Sequence, residues 1–430
     1  LPDHGALVTD LYELTMAAAY RRLGMDGVAT FELFVRHLPE PRNFLVAAGI
    51  QTALDHLQHL RFERHELEYL RTLDLFDEDF VASLAGLRFT GEVWAVPEGE
   101  VVFAEEPILR VTAPLPEAQL VETYLLSTVS FETMIASKAA RIALACGADR
   151  SFVDFSGRRD HGPGAAVKAA RAAYIGGATA TSNVEAGRRY GVPLSGTMAH
   201  SYVLSFPDEH AAFTSYARTF PHITVLLIDT YDTEEGARTA AAVANELRDE
   251  GITIDAVRLD SGDLEVLSKS VRVILDDGGA PEVRIFASND LDEHRITELL
   301  GAGAPIDGFG VGTMLGTSAD APYLGAVYKL VEDQTGGKAK RSPGKPSWPG
   351  RKQVYRQDGR DVIALVDHQP QPQGRPLLTR VMAAGEPIAP PEDLAIARRR
   401  RAEAVAALPP ELRSLGRRAH YPVERVGQGA

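Results

Sequence analysis

Between residues 151 and 325 the chain alternates repeatedly between a short β-rich run and a helical stretch. The runs fall at 151–155, 177–181, 194–198, 223–228, 256–259, 283–287 and 306–310. Few architectures accept that pattern, because parallel neighbours need a long crossover to bring the chain back to the same end of the sheet, and the crossover is right-handed. The alternation therefore predicts an α/β fold of parallel strands and helical crossovers. An irregular βα barrel fits seven strands in this register, with an open doubly wound sheet left as the alternative. Polar residues follow the runs directly: Ser156-Gly157-Arg158-Arg159, His200-Ser201, Asp229 and Asp232, Asp260-Ser261-Gly262-Asp263, Ser288-Asn289-Asp290. In a barrel the C-terminal strand ends share one face, so these segments would line one pocket.

The flanks read differently. Residues 7–23 place Leu11, Leu14 and Ala18 at helical spacing, with Thr9 or Asp10 as N-cap. Tyr12 lies one turn inside that helix, where core packing and a site role are equally open. A strand at 29–35, helical patterns through 80, short β runs over 89–112 and a helix at 117–146 make a first α/β domain, 1–146, ahead of a barrel domain, 147–325. β character returns at 326–331, 353–355, 362–366 and 377–381, which suggests strands over 326–385 that rejoin the first domain's sheet. The Gly-, Pro- and Lys-rich stretch 336–351 reads as a mobile or phosphate-contacting loop. Residues 386–430 form a C-terminal tail, helical over 391–415, with Arg398 to Arg401 read as a solvated helix face.

Composition removes several classes of function. A formal charge of -14 argues against nucleic-acid binding, which needs a basic face. Small anionic substrates remain compatible, because a local cluster of Arg can outweigh the global sign. Cys146 is the single cysteine, so there is no internal disulfide and no multi-cysteine zinc site, and a reducing cytoplasm is the expected compartment. Asp3, Asp10 and Glu13 stand where a signal peptide would be basic and apolar. No run approaches the roughly 18 apolar residues of a membrane span.

The strand ends carry the chemistry. Gly308-Phe309-Gly310-Val311-Gly312-Thr313 follows an apolar strand, and its glycines would let backbone N–H groups close around a phosphate. The dinucleotide fingerprint is absent. Asp260 and Asp263 offer two carboxylates on a tight turn, suited to ribose hydroxyls or Mg²⁺; a helix N-cap at that turn is equally compatible. Arg158, Arg159 and Arg258 supply guanidinium forks that match phosphate and carboxylate.

Taken together, Thr9-Asp10-Leu11-Tyr12, Phe155-Ser156-Gly157-Arg158-Arg159, Gly196-Thr197-Met198-Ala199-His200-Ser201, Arg258-Leu259-Asp260-Ser261-Gly262-Asp263 and Gly308 to Thr313 resemble nicotinate phosphoribosyltransferases, in the family's order and spacing. Lys340, Lys345 and Lys352-Gln353-Val354-Tyr355-Arg356 resemble that family's lysine-rich loop and the strand after it. The resemblance implies a type II phosphoribosyltransferase barrel with an N-terminal α/β domain, working as a homodimer with sites at the interface. It implies transfer of phosphoribosyl from 5-phosphoribosyl 1-pyrophosphate to nicotinate, coupled to ATP hydrolysis with Mg²⁺ through a phosphohistidine.

On that likeness His200 takes the phosphoryl group, Asp229 orients its ring through the other nitrogen, and Arg258 faces the base carboxylate or pyrophosphate. Phe155 and Tyr12 sandwich the pyridine, Tyr12 coming from the partner subunit with Asp10 beside it. Asp260 and Asp263 hold ribose hydroxyls or Mg²⁺, and Gly310, Gly312 and Thr313 hold the 5-phosphate. Arg158, Arg159, Ser201, Ser261, Gly262 and Asn289 complete the substrate-binding set. Some members bind zinc through cysteines near the C-terminus, which Cys146 alone cannot do. Relatives acting on nicotinamide carry an acid near the amide, whereas 176–183 is uncharged, which favours nicotinate. The alternatives are a nicotinamide-preferring transferase and an idle binding protein of the same fold.

Overall fold

A computed structural model describes residues 5–40, 42–340 and 347–427; Lys345 of the lysine-rich segment lies outside them. The chain divides into two compact units, Leu1–Ser137 with Ala321–Ala430, and Lys138–Asp320. The first division falls inside one continuous helix, Glu122–Cys146, rather than after residue 146. No break in composition marks that point, because the apolar pattern runs through it.

In the first unit, Val28–Val35 is flanked on both sides by antiparallel partners, Ala326–Asp333 and Pro107–Pro114. It belongs to a seven-stranded sheet that continues through Glu92–Ala95 to Thr379–Ala383 and Glu386–Pro387. Phe31, Leu33, Val93, Leu109 and Val111 are buried in its core. Of the late β runs, those near 326–331 and 377–381 rejoin this sheet. The other two do not. Lys352–Gln357 and Arg360–Leu365 pair with each other and form a separate four-stranded sheet with Arg375–Pro376 and Val423–Val426. Asp358-Gly359, with Gly359 at φ 76°, makes the two-residue connection that pairs a strand with its immediate successor.

Lys352 is buried, with its ammonium 2.8 Å from the equally buried Glu32 carboxylate, so this lysine serves the fold. The tail's helix is Leu394–Ala406. Its arginine run is not a uniformly solvated face: Arg400 donates to the Glu98 carbonyl and pairs with Glu392, and only Arg399 is fully exposed.

The second unit holds six parallel strands in the order Ala180–Thr181, Ser151–Asp154, Gly308–Val311, Arg284–Ala287, Ile254–Leu259, Thr224–Leu227. The last strand in sequence lies beside the first, as a wrapped barrel requires of its ends. One expected strand is missing. Around 194–198 only Leu194 pairs, in a single parallel bridge to Thr181. Pro193 lacks an N–H, and Ser195-Gly196-Thr197 has neither the apolar alternation nor the β propensity to extend a ladder. The barrel is therefore irregular at this point, and the loop that leads to His200 is free of the sheet.

Candidate active site

Three strand ends repeat one local device. Asp229 and Asp232, Asp260 and Asp263, and Asn289 and Asp292 are each three residues apart, and the later residue of each pair is the N-cap of the next helix. Asp232 accepts from the N–H groups of Glu234 and Glu235, Asp263 from Glu265 and Val266, and Asp292 from His294 and Arg295. These caps satisfy backbone donors that a helix start leaves orphaned. Asp263 is thus a helix cap, a role its sequence allowed alongside ligand binding. The earlier residue of each pair is left on the turn itself, and Asp229 and Asp260 meet there.

His200 opens the short helix His200–Leu204 with its side chain 43% exposed. Its Nε2 faces two carboxylates, 4.0 Å from Asp229 Oδ1 and 3.9 Å from Asp260 Oδ2. Its Nδ1 lies 3.1 Å from Thr230 Oγ1. This corrects the role expected of Asp229: the group bonded to the ring's other nitrogen is the hydroxyl of Thr230. The Asp229 carboxylate instead ties two turns together, its Oδ2 accepting from Asp260 N at 3.1 Å and from Ser261 Oγ at 2.5 Å. Asp229 Oδ1 is buried without a hydrogen-bond partner.

Arg258 is held from several sides. It is 7% exposed, and its terminal nitrogens donate to Ser288 Oγ (3.0 Å) and Met198 O (3.1 Å), while Nη1 sits 2.9 Å from Asp260 Oδ1. Its charge is therefore largely compensated by Asp260, and the guanidinium braces two strand ends and the loop before His200. Ser288 completes the brace by donating to Asp260 Oδ1 at 2.5 Å. Directly after it, Asn289 (φ 95°) and Asp290 (φ 45°) are both left-handed, a conformation that is costly for non-glycine residues and tends to persist at functional turns.

The free positive charge comes from another turn. Arg158 and Arg159 are exposed and have no acidic partner among the described residues. Their turn is built on buried Ser156, which takes its N–H to Asp154 Oδ1 (2.9 Å) and its hydroxyl to Asp160 Oδ2 (3.0 Å). Asp154 in turn accepts from Thr181 Oγ1 at 2.7 Å. Burial, followed by the charge of Asp154, pushes the Asp160 carboxyl up to about 6.

Gly308 and Gly310 are strand residues, not a phosphate loop. A Cβ on Gly310 would meet the Phe155 ring at 2.6 Å, and one on Gly308 would meet Phe286 at 3.0 Å. Their missing side chains make room for the Phe155–Phe286 pair, whose centroids are 5.9 Å apart. Gly312 and Thr313 follow, at the mouth of the single turn Thr313–Gly316. Ser201, in the helix that His200 opens, and Ser261 and Gly262, on the turn after Asp260, lie exposed, with Gly262 at φ 76°.

Sequence reasoning missed Thr230 and Glu209. A threonine after an aspartate carries no chemical signature. Glu209 looks like a routine first-turn acid behind the cap Asp208, yet burial and the charges of Asp229 and Asp232 push its carboxyl up to about 7.

In the other unit, Asp10 and Tyr12 start the helix Leu11–Leu23. Asp10 accepts from Thr123 Oγ1 at 2.8 Å. Tyr12 is 45% exposed, so core packing is not its role, and the neighbouring Leu11 is exposed too. The next residue, Glu13, is fully buried and accepts from Thr123 N at 2.9 Å. Among the described residues no group of three or more His, Cys, Asp or Glu is arranged to hold a metal ion.

Comparison with known proteins gives this arrangement its place. Residues 7–130 match the model of the nicotinate phosphoribosyltransferase N-terminal domain, and 151–358 match that of the nicotinate phosphoribosyltransferase family. A Mycobacterium tuberculosis nicotinate phosphoribosyltransferase, pncB2, is 49% identical over 96% of this chain and 89% of its own. The chain belongs to the nicotinate phosphoribosyltransferase family. A Bacillus subtilis nicotinate phosphoribosyltransferase is 46% identical over 87% of this chain and 79% of its own. The crystal structure of human nicotinic acid phosphoribosyltransferase superposes with a TM-score of 0.84 at 30% identity, covering 97% of each chain. The two matched stretches contain Tyr12 and His200 respectively. Among the described residues no helix is long and apolar enough to cross a membrane.

Proposed function

We propose that this chain transfers phosphoribosyl from 5-phosphoribosyl 1-pyrophosphate to nicotinate, releasing pyrophosphate and nicotinate mononucleotide for NAD synthesis, and couples the transfer to ATP hydrolysis through His200. Family membership over both units supports the transfer. The observation that carries the coupling is the setting of His200, an accessible imidazole at a strand-to-helix junction with one nitrogen hydrogen-bonded and the other facing the site. Neutral Nε2 attacks the γ-phosphorus of ATP; the N–P bond forms as the P–O bond breaks, and the electron pair leaves on ADP. Water later takes the phosphoryl group and restores the ring.

For phosphoribosyl transfer, the C1–pyrophosphate bond loosens toward an oxocarbenium ion while the pyridine nitrogen approaches C1. Stabilising the departing pyrophosphate should then outweigh any acid or base, and the unpaired guanidinium groups of Arg158 and Arg159 suit that task. Phe155 offers an aromatic face for the pyridine, and exposed Tyr12 a second, supplied across a homodimer interface. The uncharged 176–183 segment leaves the nicotinate carboxylate unopposed. Asp229, with its orphaned buried oxygen, and Asp260 fit Mg²⁺, which takes one or two carboxylates alongside phosphate oxygens. Bound there, it would neutralise phosphate charge. The lone buried thiol of Cys146 suits a reducing cytoplasm.

The test is turnover of nicotinate and nicotinamide side by side, with and without ATP, in wild type and His200→Ala. We expect nicotinate preference, and in the variant no phosphoenzyme and no base-stimulated ATP hydrolysis, with slow uncoupled transfer retained. Full ATP coupling in His200→Ala, or preference for nicotinamide, would overturn the corresponding half of the reading.

A further inference from the structure

We propose that Thr230 is a positioning residue that lets His200 exchange its ring proton between tautomers as it cycles; this rests on His200 being the phosphoryl acceptor. The two ring nitrogens have unlike surroundings. Nε2 faces two carboxylate oxygens at 3.9 and 4.0 Å, beyond hydrogen-bond reach. Nδ1 is hydrogen-bonded to a neutral hydroxyl at 3.1 Å.

A ring with its proton on Nε2 needs a donor at Nδ1, and the Thr230 O–H supplies it. To attack phosphorus, Nε2 must carry the lone pair, so the proton has to sit on Nδ1 and now needs an acceptor. The same oxygen accepts once its hydrogen rotates away. A carboxylate in that position could only accept and an ammonium only donate; a hydroxyl does both without moving a heavy atom. In the transfer step the Nε2–P bond forms, the P–O bond to ADP breaks, and the proton remains on Nδ1 in its bond to Oγ1. The resulting phosphorylated ring is a cation carrying Nδ1–H, which still requires that acceptor.

The geometry around Thr230 keeps it in place. Asp229, its neighbour in the chain, is fastened through Oδ2 to the backbone of Asp260 and to the Ser261 hydroxyl, so the turn that carries Thr230 is pinned to the next strand end. The β-branched side chain then has few χ1 choices, which holds the hydroxyl on the ring.

The experiment uses the full chain with Thr230→Val, which keeps shape and removes the hydroxyl, and Thr230→Ser, which restores it. Phosphoenzyme formation from γ-labelled ATP should fall about 10- to 100-fold in Thr230→Val, with the ATP KM within about twofold, and return to within about threefold of wild type in Thr230→Ser. Nitrogen-15 NMR of the His200 ring should show a changed tautomer ratio in Thr230→Val, a signal that packing loss alone would not move. Thr230→Ala gives the same comparison if valine is not accommodated. Wild-type phosphorylation rate in Thr230→Val, an unchanged tautomer ratio, or no rescue by serine would overturn the proposal. Those failures differ from failure of the coupling itself, which would appear as wild type forming no phosphoenzyme or His200→Ala still forming one.

Discussion

Arg258 and Asp260 are two residues apart in sequence and 2.9 Å apart in space. Alternate residues of a strand point to one side, so the spacing alone lets the guanidinium and the carboxylate meet at the strand's end. The pair then recruits Ser288 and Met198 O, which joins the loop before His200 to two strand ends. Arg258→Lys keeps the charge but has one nitrogen where three bonds are made. We expect kcat/KM for nicotinate mononucleotide formation to fall about 10- to 100-fold, roughly 1.4–2.8 kcal/mol of lost transition-state stabilisation. Near wild-type kinetics in Arg258→Lys would mean that the charge, not the brace, is what matters.

Gly310→Ala tests the aromatic wall. The new methyl would stand 2.6 Å from the Phe155 ring, inside a strand that cannot yield easily, so the ring must shift. Overpacking of this kind costs about 1–3 kcal/mol of stability. Because the displaced ring is the proposed platform for the base, the KM for nicotinate should rise more than that for 5-phosphoribosyl 1-pyrophosphate. If the two rise together, Phe155 is not the platform.

Tyr12→Ala should leave folding nearly untouched, within about 0.5 kcal/mol by denaturant melt, since the residue lies at the surface, 45% exposed. Loss of a stacked ring should weaken nicotinate binding by about 1 kcal/mol, some fivefold or more in KM, with 5-phosphoribosyl 1-pyrophosphate unaffected. A marked drop in stability would return Tyr12 to a packing role.

Much of this site is legible in the sequence because period and spacing carry it. The βα alternation places 229, 260 and 289 at successive strand ends, and the recurring three-residue interval to an acid announces a helix cap. What escaped has physical reasons. The bridge at Leu194 replaces a strand because Pro193 and Gly196 spoil a ladder that apolar content alone suggested. Gly308 and Gly310 look like a phosphate loop in one dimension, and only the neighbouring rings of Phe155 and Phe286 reveal what their missing side chains admit. Arg258 appears in the sequence as a bare charge, without the Asp260 carboxylate that stands 2.9 Å from it. Thr230 is invisible, since a hydroxyl acquires its meaning from the ring beside it.

Asp160 gives the site a pH dependence of stability that a single substitution should remove. Its carboxyl is pushed up to about 6 by burial first and by the charge of Asp154 second. Since the unfolded chain titrates near 4, the folded state holds this proton more tightly between those values. The favourable contribution is therefore complete below about pH 4 and lost as pH rises through about 6. The shift taken at face value is about 3 kcal/mol, but the residue is only half-buried, so screening leaves roughly 1 kcal/mol. Asp160→Asn keeps an acceptor for the Ser156 hydroxyl, which lies 3.0 Å from Oδ2 in wild type, and removes the titration. In denaturant melts the variant should match wild type near pH 4 and exceed it by about 1 kcal/mol at pH 7.5. An equal gain at both pH values would assign the effect to packing, and a loss at pH 7.5 would mean that the ionised carboxylate is what holds the Arg158–Arg159 turn.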